Sequence, residues 1–499
     1  MAVAVAAFVY GASALIACPG SMAAGESLYH FDIARRIWGG DLAPDPSRAF
    51  PWTIYRKWPV DHYWLFHVVT APFAAFHNRE LGMKIAAGFL FAVFLVVLTR
   101  VIARRGVPLP WVWAFASILF SSQDWRYLQL RGGVTMATLA LVFAEVAFFV
   151  DDDRRRRVLL VALGAIGFLS YNGAVVLIPI HVAGVVGLAL ATGDDRRELA
   201  RRAFEPLLTL VGLALGLLVN PYMDRHASTF RFAYFHVRNM AGDSERLFAG
   251  RENVEFNPFP FAILGSEWGW IIFFAAVAGA LGFVAHRRFR LRSVTRDEVV
   301  YGAITLAFTV LTLRAVRIRE YGVPFAFVFF AIVACPFVVA RLRRPRLVGL
   351  VAVIGLLLAG AHQWNKTVER IPRVHPSIDL FAGTAPLLKA HAGVPVANLM
   401  QGDASQLLWE WPDVQAAQAL SPYFLYYDDR ALYDDLRALR DVPSDDAAIA
   451  ALARLRARGC RLVTARSEQA FLHFAKRHPD LVRLVWEHPE DKSSIYEIT

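Results

Sequence analysis

Four short stretches of this 499-residue chain gather ionisable side chains beside otherwise apolar segments, where a carboxylate, a histidine or an arginine could bind an anion or handle a proton. The first is GESLYHFDIARRI, residues 25–37. From Ser27 it has a helical pattern, with Leu28, Phe31 and Ile37 apolar, so Glu26 and His30, four apart, share a face. Asp32 and Arg36 are also four apart and can pair. On spacing alone this describes a solvated juxtamembrane helix with one salt bridge. The second stretch is WPVDHYWLFH, 58–67, in which Asp61 and His62 open an aromatic segment that solvates them poorly. There Asp61 would cap a helix, with Trp58 and Trp64 as interfacial anchors. In one continuous helix Asp61 and His67 fall on different faces, so a shared metal is not implied.

The third stretch, SSQDWRYLQLRGG (121–133), places Asp124, Arg126 and Arg131 in a short turn between apolar segments. It forms either an Asp–Arg pair or an anion site, since guanidinium forks match phosphate. The fourth, RAVRIREYGVPF (314–325), holds Arg314, Arg317, Arg319, Glu320 and Tyr321 in another such turn. These arginines meet anionic groups such as a lipid phosphate, or pair with acids of the first loop. The long segment 222–262 adds His226, His236, Asp243, Glu245 and Glu252, and Glu267 follows in the next helix. Segments of this length are often lids or binding loops. No Gly-rich phosphate loop, GxSxG elbow, HExxH or CxxC stands out. Cys18, Cys335 and Cys460 suggest neither a disulfide framework nor a zinc site.

The elements that must position these groups are mostly apolar. The chain is 56% hydrophobic with a mean hydropathy of +0.40. Runs such as FLFAVFLVVL (89–98) mark a polytopic α-helical membrane protein. About eleven transmembrane helices are expected, at 2–18, 81–100, 107–122, 132–150, 157–171, 174–192, 205–221, 263–285, 298–314, 322–340 and 346–362. The net charge of +11 does not signal nucleic acid, because twenty arginines fall in five clusters between these segments, at 100–105, 154–157, 196–202, 287–296 and 341–346. With the N-terminus inside, all five lie in the cytoplasm, and 19–80, 123–131, 222–262, 315–321 and 363–499 lie outside. ALIACPG (14–20) loosely resembles a cleavage site, but no Lys or Arg precedes it, so an uncleaved first helix is expected.

YWLFHVVTAPFAAF (63–76) is apolar but only 14 residues long and contains His67 and Pro72. Counting it as a span would flip every later loop, so it is expected to be interfacial or re-entrant within the long first external loop 19–80. Two domains are expected: a transmembrane domain over 1–362 and a soluble α/β domain over 363–499. In the latter, β-type runs appear at 395–400, 461–465, 481–487 and 494–498.

This order resembles the GT-C superfamily of membrane glycosyltransferases, which includes protein O-mannosyltransferases, oligosaccharyltransferase catalytic subunits and lipid A aminoarabinose transferases. GESLYHFDIARRIWGGDLAP resembles that family's acid-led first-loop helix, and RIREYGVPFAF resembles its late R-x-x-R-Y-x-x-P-like motif. LLWEWPDVQAAQALSPYFLYYDDRALYDDL (407–436) is similar to the C-terminal domain of bacterial members. The resemblance implies transfer of a sugar from a polyprenyl-phosphate-linked donor to a lipid, glycan or protein acceptor on the outer face of a plasma membrane. Glu26 would then be the general base, with Asp32 or Asp61 as alternatives. Arg317 and Arg319, backed by Arg126 and Arg131, would meet the leaving phosphate. His30, His62, Asp124, Glu320 and Tyr321 complete the expected substrate contacts. The resemblance leaves room for a divalent Mg or Mn ion, although Asp124 lacks the paired carboxylate that such a site uses. A flippase of lipid-linked sugars or a non-catalytic assembly protein are the other classes considered. The former would want charges in mid-membrane, whereas here they gather in the outer loops.

Overall fold

The computed structural model describes residues 1–22, 25–119, 124–192, 196–222, 268–291, 294–314, 318–341, 345–374, 377–400, 402–419, 422–466, 468–489 and 493–499, with isolated positions 228 and 231. Each stretch expected to cross the membrane contains a helix. In chain order these helices are α1 (Ala2–Ile16), α4 (Arg79–Arg104), α5 (Pro110–Leu119), α7 (Gly132–Phe149), α8 (Asp153–Ser170), α9 (Leu177–Thr192), α10 (Arg196–Leu218), α11 (Trp268–His286), α12 (Arg296–Arg314), α13 (Arg319–Arg341) and α14 (Pro345–Val374). Between α1 and α4 lie α2 (Glu26–Trp38) and α3 (Trp64–Thr70), and α6 (Asp124–Tyr127) precedes α7. Among the described residues, five segments are long and apolar enough to cross a bilayer: Arg79–Arg104, Gly132–Phe149, Gly173–Leu190, Trp270–Phe289 and Arg319–Pro336.

Glycines let one pair of these helices cross closely. A Cβ on Gly164 would stand 2.7 Å from the Thr209 carbonyl, and one on Gly212 would strike the Val161 carbonyl, so α8 and α10 meet nearly backbone to backbone. The expected interfacial segment is α3 followed by a 3-10 turn over Ala71–Ala75, too short to span.

At one end of this helical body the arginine clusters converge on buried acids. Arg105 meets Glu145 and, at 3.3 Å, Asp297, while the Tyr301 hydroxyl donates to Glu145 at 2.5 Å. Arg156 donates twice to Glu205, at 2.9 and 2.7 Å. Arg202 and Arg296 donate to the carbonyls of Ala147 and Phe148, the last turn of α7, both at 2.6 Å. Four of the five clusters thus share one end. The side chains of the fifth, 341–346, lie outside the described residues.

The C-terminal domain is a four-stranded sheet with helices. Its strands are β1 (Val396–Asn398), β2 (Leu462–Ala465), β3 (Val482–Glu487) and β4 (Ser494–Ile498), in the order β1-β2-β4-β3. All four fall on the expected β-type runs. β1 and β2 are parallel, with Ala397 opposite Val463, and the other pairs are antiparallel. The helix expected at 346–362 is longer than that. α14 continues past 362 to Val374, because its amphiphilic end QWNKTVERI still has helical periodicity and buries Thr367 and Ile371.

The first loop does not lie on the membrane as a separate excursion. Its apolar residues Tyr29, Ile33, Ile37, Phe50, Ile54, Tyr55 and Val60 belong to the same buried cluster as the C-terminal domain. The Ala416 amide donates to the Ala49 carbonyl at 2.8 Å, and Arg56 and Lys57 reach the buried Asp428 at 3.3 and 2.5 Å.

Candidate active site

α2 is built for two partners. Leu28 and Phe31, three apart, enter the core of the helical body. Tyr29, Ile33 and Ile37, spaced by four, enter the core of the C-terminal domain. The expectation of a solvated juxtamembrane helix is therefore corrected: nine of its thirteen residues are buried. Period-3.6 patterning was visible in sequence, but the second apolar face was hidden because it includes a tyrosine and needs a partner over 350 residues away.

The expected Asp32–Arg36 pair is present at 3.1 Å, and Arg36 also reaches the Pro412 carbonyl across the domain boundary. Burial pushes the Asp32 carboxyl up, outweighing the opposing pull of Arg36, Arg35 and Arg79. Asp32 is thus committed to holding α2 in place. Glu26 stands at the first turn of α2, half-buried.

Asp61 and His67 correct the reading of the second stretch. The helix starts only at Trp64, with Tyr63 as its N-cap, so Asp61 lies before it and is not its cap. Asp61 Oδ1 instead accepts from the Tyr63 amide at 2.9 Å, a turn that folds its carboxylate back over the helix. Asp61 Oδ2 then meets His67 Nδ1 at 2.6 Å, and His67 Nε2 meets His30 Nδ1 at 2.8 Å. The three side chains are at most 2% exposed. Sequence spacing gave His67 no role, because it treated Asp61 as helical. The one available signal was an acid immediately before an aromatic helix whose second turn carries a histidine. On the same face of α2 as Glu26, His30 bonds forward to His67. Buried beside Tyr63, His62 has its ring centroid 4.1 Å from that of the tyrosine.

The third and fourth stretches meet each other. Arg126 donates to Glu320 at 3.0 Å, and Arg131 meets the same carboxylate oxygen. The Tyr127 hydroxyl donates to the Glu320 carbonyl at 2.9 Å. Glu320, in the first turn of α13, supplies the acid for both arginines, where an Asp–Arg pair or an anion site was expected. Arg319 lies 5.5 Å over the Trp270 ring, and Tyr321 is buried in the helical core. Two guanidinium groups, those of Arg126 and Arg131, therefore share one carboxylate. Arg317 and the side chain of Asp124 lie outside the described residues, as does nearly all of 222–262 and Glu267.

Two contacts join this arginine group to the first loop. The Leu130 amide donates to Ser27 Oγ at 3.2 Å, next to Glu26. Gly132 lies against the Tyr63 ring, where a Cβ would come within 2.7 Å of it, and Tyr63 stacks on Tyr171 with centroids 5.0 Å apart. Stretches one to four thus form one continuous contact set, at the opposite end of α4 and α7 from the buried arginine–acid network.

Among the described residues no three His, Cys, Asp or Glu side chains converge on one point. Asp61, His67 and His30 bond to one another in a row, and Asp32 is engaged by arginines.

The fold is similar to that of archaeal oligosaccharyltransferases. A crystal structure of the Archaeoglobus fulgidus oligosaccharyltransferase, in complex with Zn and sulfate, superposes with a TM-score of 0.62 at 12% identity, over 98% of this chain and 72% of that one. The A. fulgidus oligosaccharyltransferase AglB, in complex with an inhibitory peptide and a dolichol-phosphate, gives a TM-score of 0.63 at 12% identity, over 100% of this chain and 74% of that one. No family model and no curated relative matches the chain. At that identity the likeness defines the class of fold: a polytopic helical body with a C-terminal α/β domain.

Proposed function

We propose that this chain is a membrane glycosyltransferase that moves a sugar from a polyprenyl-phosphate-linked donor to an acceptor on the outer face of a plasma membrane. The observation that carries this reading is the wedging of α2, with Glu26 at its start, between the helical body and the C-terminal domain, in contact with the Arg126–Arg131–Glu320 group. The fold likeness to a protein solved with dolichol-phosphate and a peptide supports a lipid-linked donor. The acceptor is a lipid, glycan or protein.

In this reading the acceptor hydroxyl or amide attacks the anomeric carbon and loses its proton to the Glu26 carboxylate. The bond from that carbon to the phosphate oxygen breaks, and the phosphate leaves on its lipid. Arg126, Arg131 and Arg319, with Arg317, meet the charge that develops there; Glu320 holds the first two guanidiniums at fixed positions, so little reorganisation accompanies the reaction. Asp32 orients α2, and His62 and Tyr321 line the same region. No step is assigned to a divalent ion. The N-terminus and the arginine–acid end face the cytoplasm, and 363–499 faces outward.

The test is transfer in proteoliposomes charged with a polyprenyl-phosphate-linked [14C]hexose and bacterial membrane lipids. Glu26→Gln is expected to cut the rate at least about 100-fold with unchanged yield of folded protein. Transfer at the wild-type rate would remove Glu26 from the mechanism.

A further inference from the structure

At the arginine-rich end of the helical body, α9, α11 and α12 line a groove of about 420 Å³. The α12 side of it is one helical face, Val299, Gly302, Ala303, Leu306 and Ala307, spaced by three and four. α9 and α12 touch directly beside it, since a Cβ on Gly187 would stand 2.8 Å from the Val300 Cα. α11 forms the third side. The walls are almost wholly apolar. Ala183 of α9 and Ala285 of α11 face the small residues of α12, so volume remains where larger side chains would pack. On the rim, Val186, Leu190 and Leu306 are about half exposed. The volume falls in the range of roughly 300–1,000 Å³ that holds small molecules.

The mouth of the groove has a different chemistry. The apolar spans Gly173–Leu190 and Trp270–Phe289 both end there, and Arg288 stands between those ends. Arg288 donates through Nε to the Leu190 carbonyl at 2.6 Å, which fixes its guanidinium across α9 and α11. Its two terminal nitrogens make no hydrogen bond among the described residues. Glu298, the acid among the lining residues, is engaged already. It meets Arg287 and accepts from the Thr295 amide at 2.7 Å and the Thr295 hydroxyl at 3.1 Å. The sequence adds Arg290 and Arg292 in RRFRLR, 287–292. Phe289, 78% exposed, suits an aromatic anchor at the membrane interface. The mouth is thus cationic and lies where hydrocarbon gives way to headgroups, while the walls offer water nothing to bond.

We propose that this groove binds one anionic phospholipid of the leaflet at the arginine-rich end, with an acyl chain between α9, α11 and α12 and its phosphate on Arg288. The chain covers apolar wall, and the phosphate accepts charge-assisted bonds from the Arg288 terminal nitrogens. Any phospholipid offers that phosphate, so the preference for net negative charge comes from the surrounding arginines. Because Arg288 also holds the Leu190 carbonyl, the bound lipid braces α9 against α11. The site lies at the opposite end of the helical body from Glu26 and does not depend on glycosyl transfer.

The experiment titrates the purified full chain in detergent with phosphatidylglycerol, and in parallel with phosphatidylcholine of the same acyl chains, and counts bound lipid by native mass spectrometry. Wild type is expected to hold one phosphatidylglycerol at least about fivefold more tightly than phosphatidylcholine. Arg288→Gln is expected to weaken phosphatidylglycerol about fivefold, the effect of one cation near a membrane surface. Ala307→Phe fills the groove and is expected to weaken both lipids at least about tenfold. Equal affinity of wild type for the two lipids overturns the proposal, as does phosphatidylglycerol binding that survives either substitution at wild-type strength. If Ala307→Phe does not fold, wild type is labelled with a phosphatidylglycerol that carries a photoactivatable diazirine on its acyl chain. Adducts concentrated on α9, α11 and α12 and removed by unlabelled phosphatidylglycerol support the site. Adducts spread over the other helices, or displaced only by polyprenyl phosphate, overturn it.

Discussion

At the scale of single residues, the outer arginines change meaning once their partner is known. Arg131 and Glu320 are 3% exposed, and Arg126 shares the same carboxylate oxygen. Such a group is stable only as a set, because removing one partner strands the others in a dry setting. Glu320→Ala is therefore expected to destabilise the protein by about 3–5 kcal/mol, read as a lower melting temperature in detergent. Glu320→Gln keeps the shape and is expected to recover part of this loss. An alanine variant as stable as wild type would mean that the two arginines are not held by Glu320. The sequence placed these three residues in the right turns but not together: Arg131 and Glu320 are 189 positions apart, and spacing rules reach only a few residues.

At the scale of elements, the start of the helix Asp403–Glu410 shows how the C-terminal domain responds to pH. Asp403 follows β1, packs against β2 and accepts from Thr464 Oγ1 at 3.1 Å. Burial raises its carboxyl to about 7, with Arg466 opposing. The unfolded carboxyl titrates at its ordinary value of 3.8. Between these values the folded chain binds more protons than the unfolded one, so stability falls as pH rises from about 4 to about 7 and is flat above that. The full span corresponds to about 4 kcal/mol at most. Asp403→Asn should remove this slope and melt higher than wild type at pH 7.5, as seen in thermal melts of the purified protein at pH 5 and 7.5. Equal slopes in both proteins would show that Asp403 is not the titrating group. The sequence marked this region as soluble α/β by its mixed, charged composition, but gave no reason to expect a buried acid there. The loss of water around it is a property of the packed sheet.

At the scale of the whole molecule, charge is segregated to two ends. The buried arginine–acid network of Glu145, Glu205 and Glu298 gathers loops that are distant in sequence, while the first loop and C-terminal domain gather at the other end. Positive charge beside apolar helices favours the cytoplasmic side. In spheroplasts of an expressing host, a tag after Thr499 is therefore expected to be cut by added protease, and one inserted at 154–157 only after lysis. The reverse pattern would invert the orientation and remove the outer-face reading of Glu26.

What the sequence determined by itself is what depends on local pattern. Apolar run length set the helices, short β-type runs set the four strands, and the i to i+4 spacing set the Asp32–Arg36 pair. Tertiary structure alone decided which ionisable groups meet. His67 was invisible as a partner of Asp61 because a two-residue turn before Trp64, not helical geometry, relates them. The burial of GESLYHFDIARRI was equally invisible, since its second apolar face is completed by residues near the other end of the chain. Short-range periodicity encodes elements, whereas the removal of water that makes an acid, a histidine or an arginine chemically unusual arises only when distant elements pack.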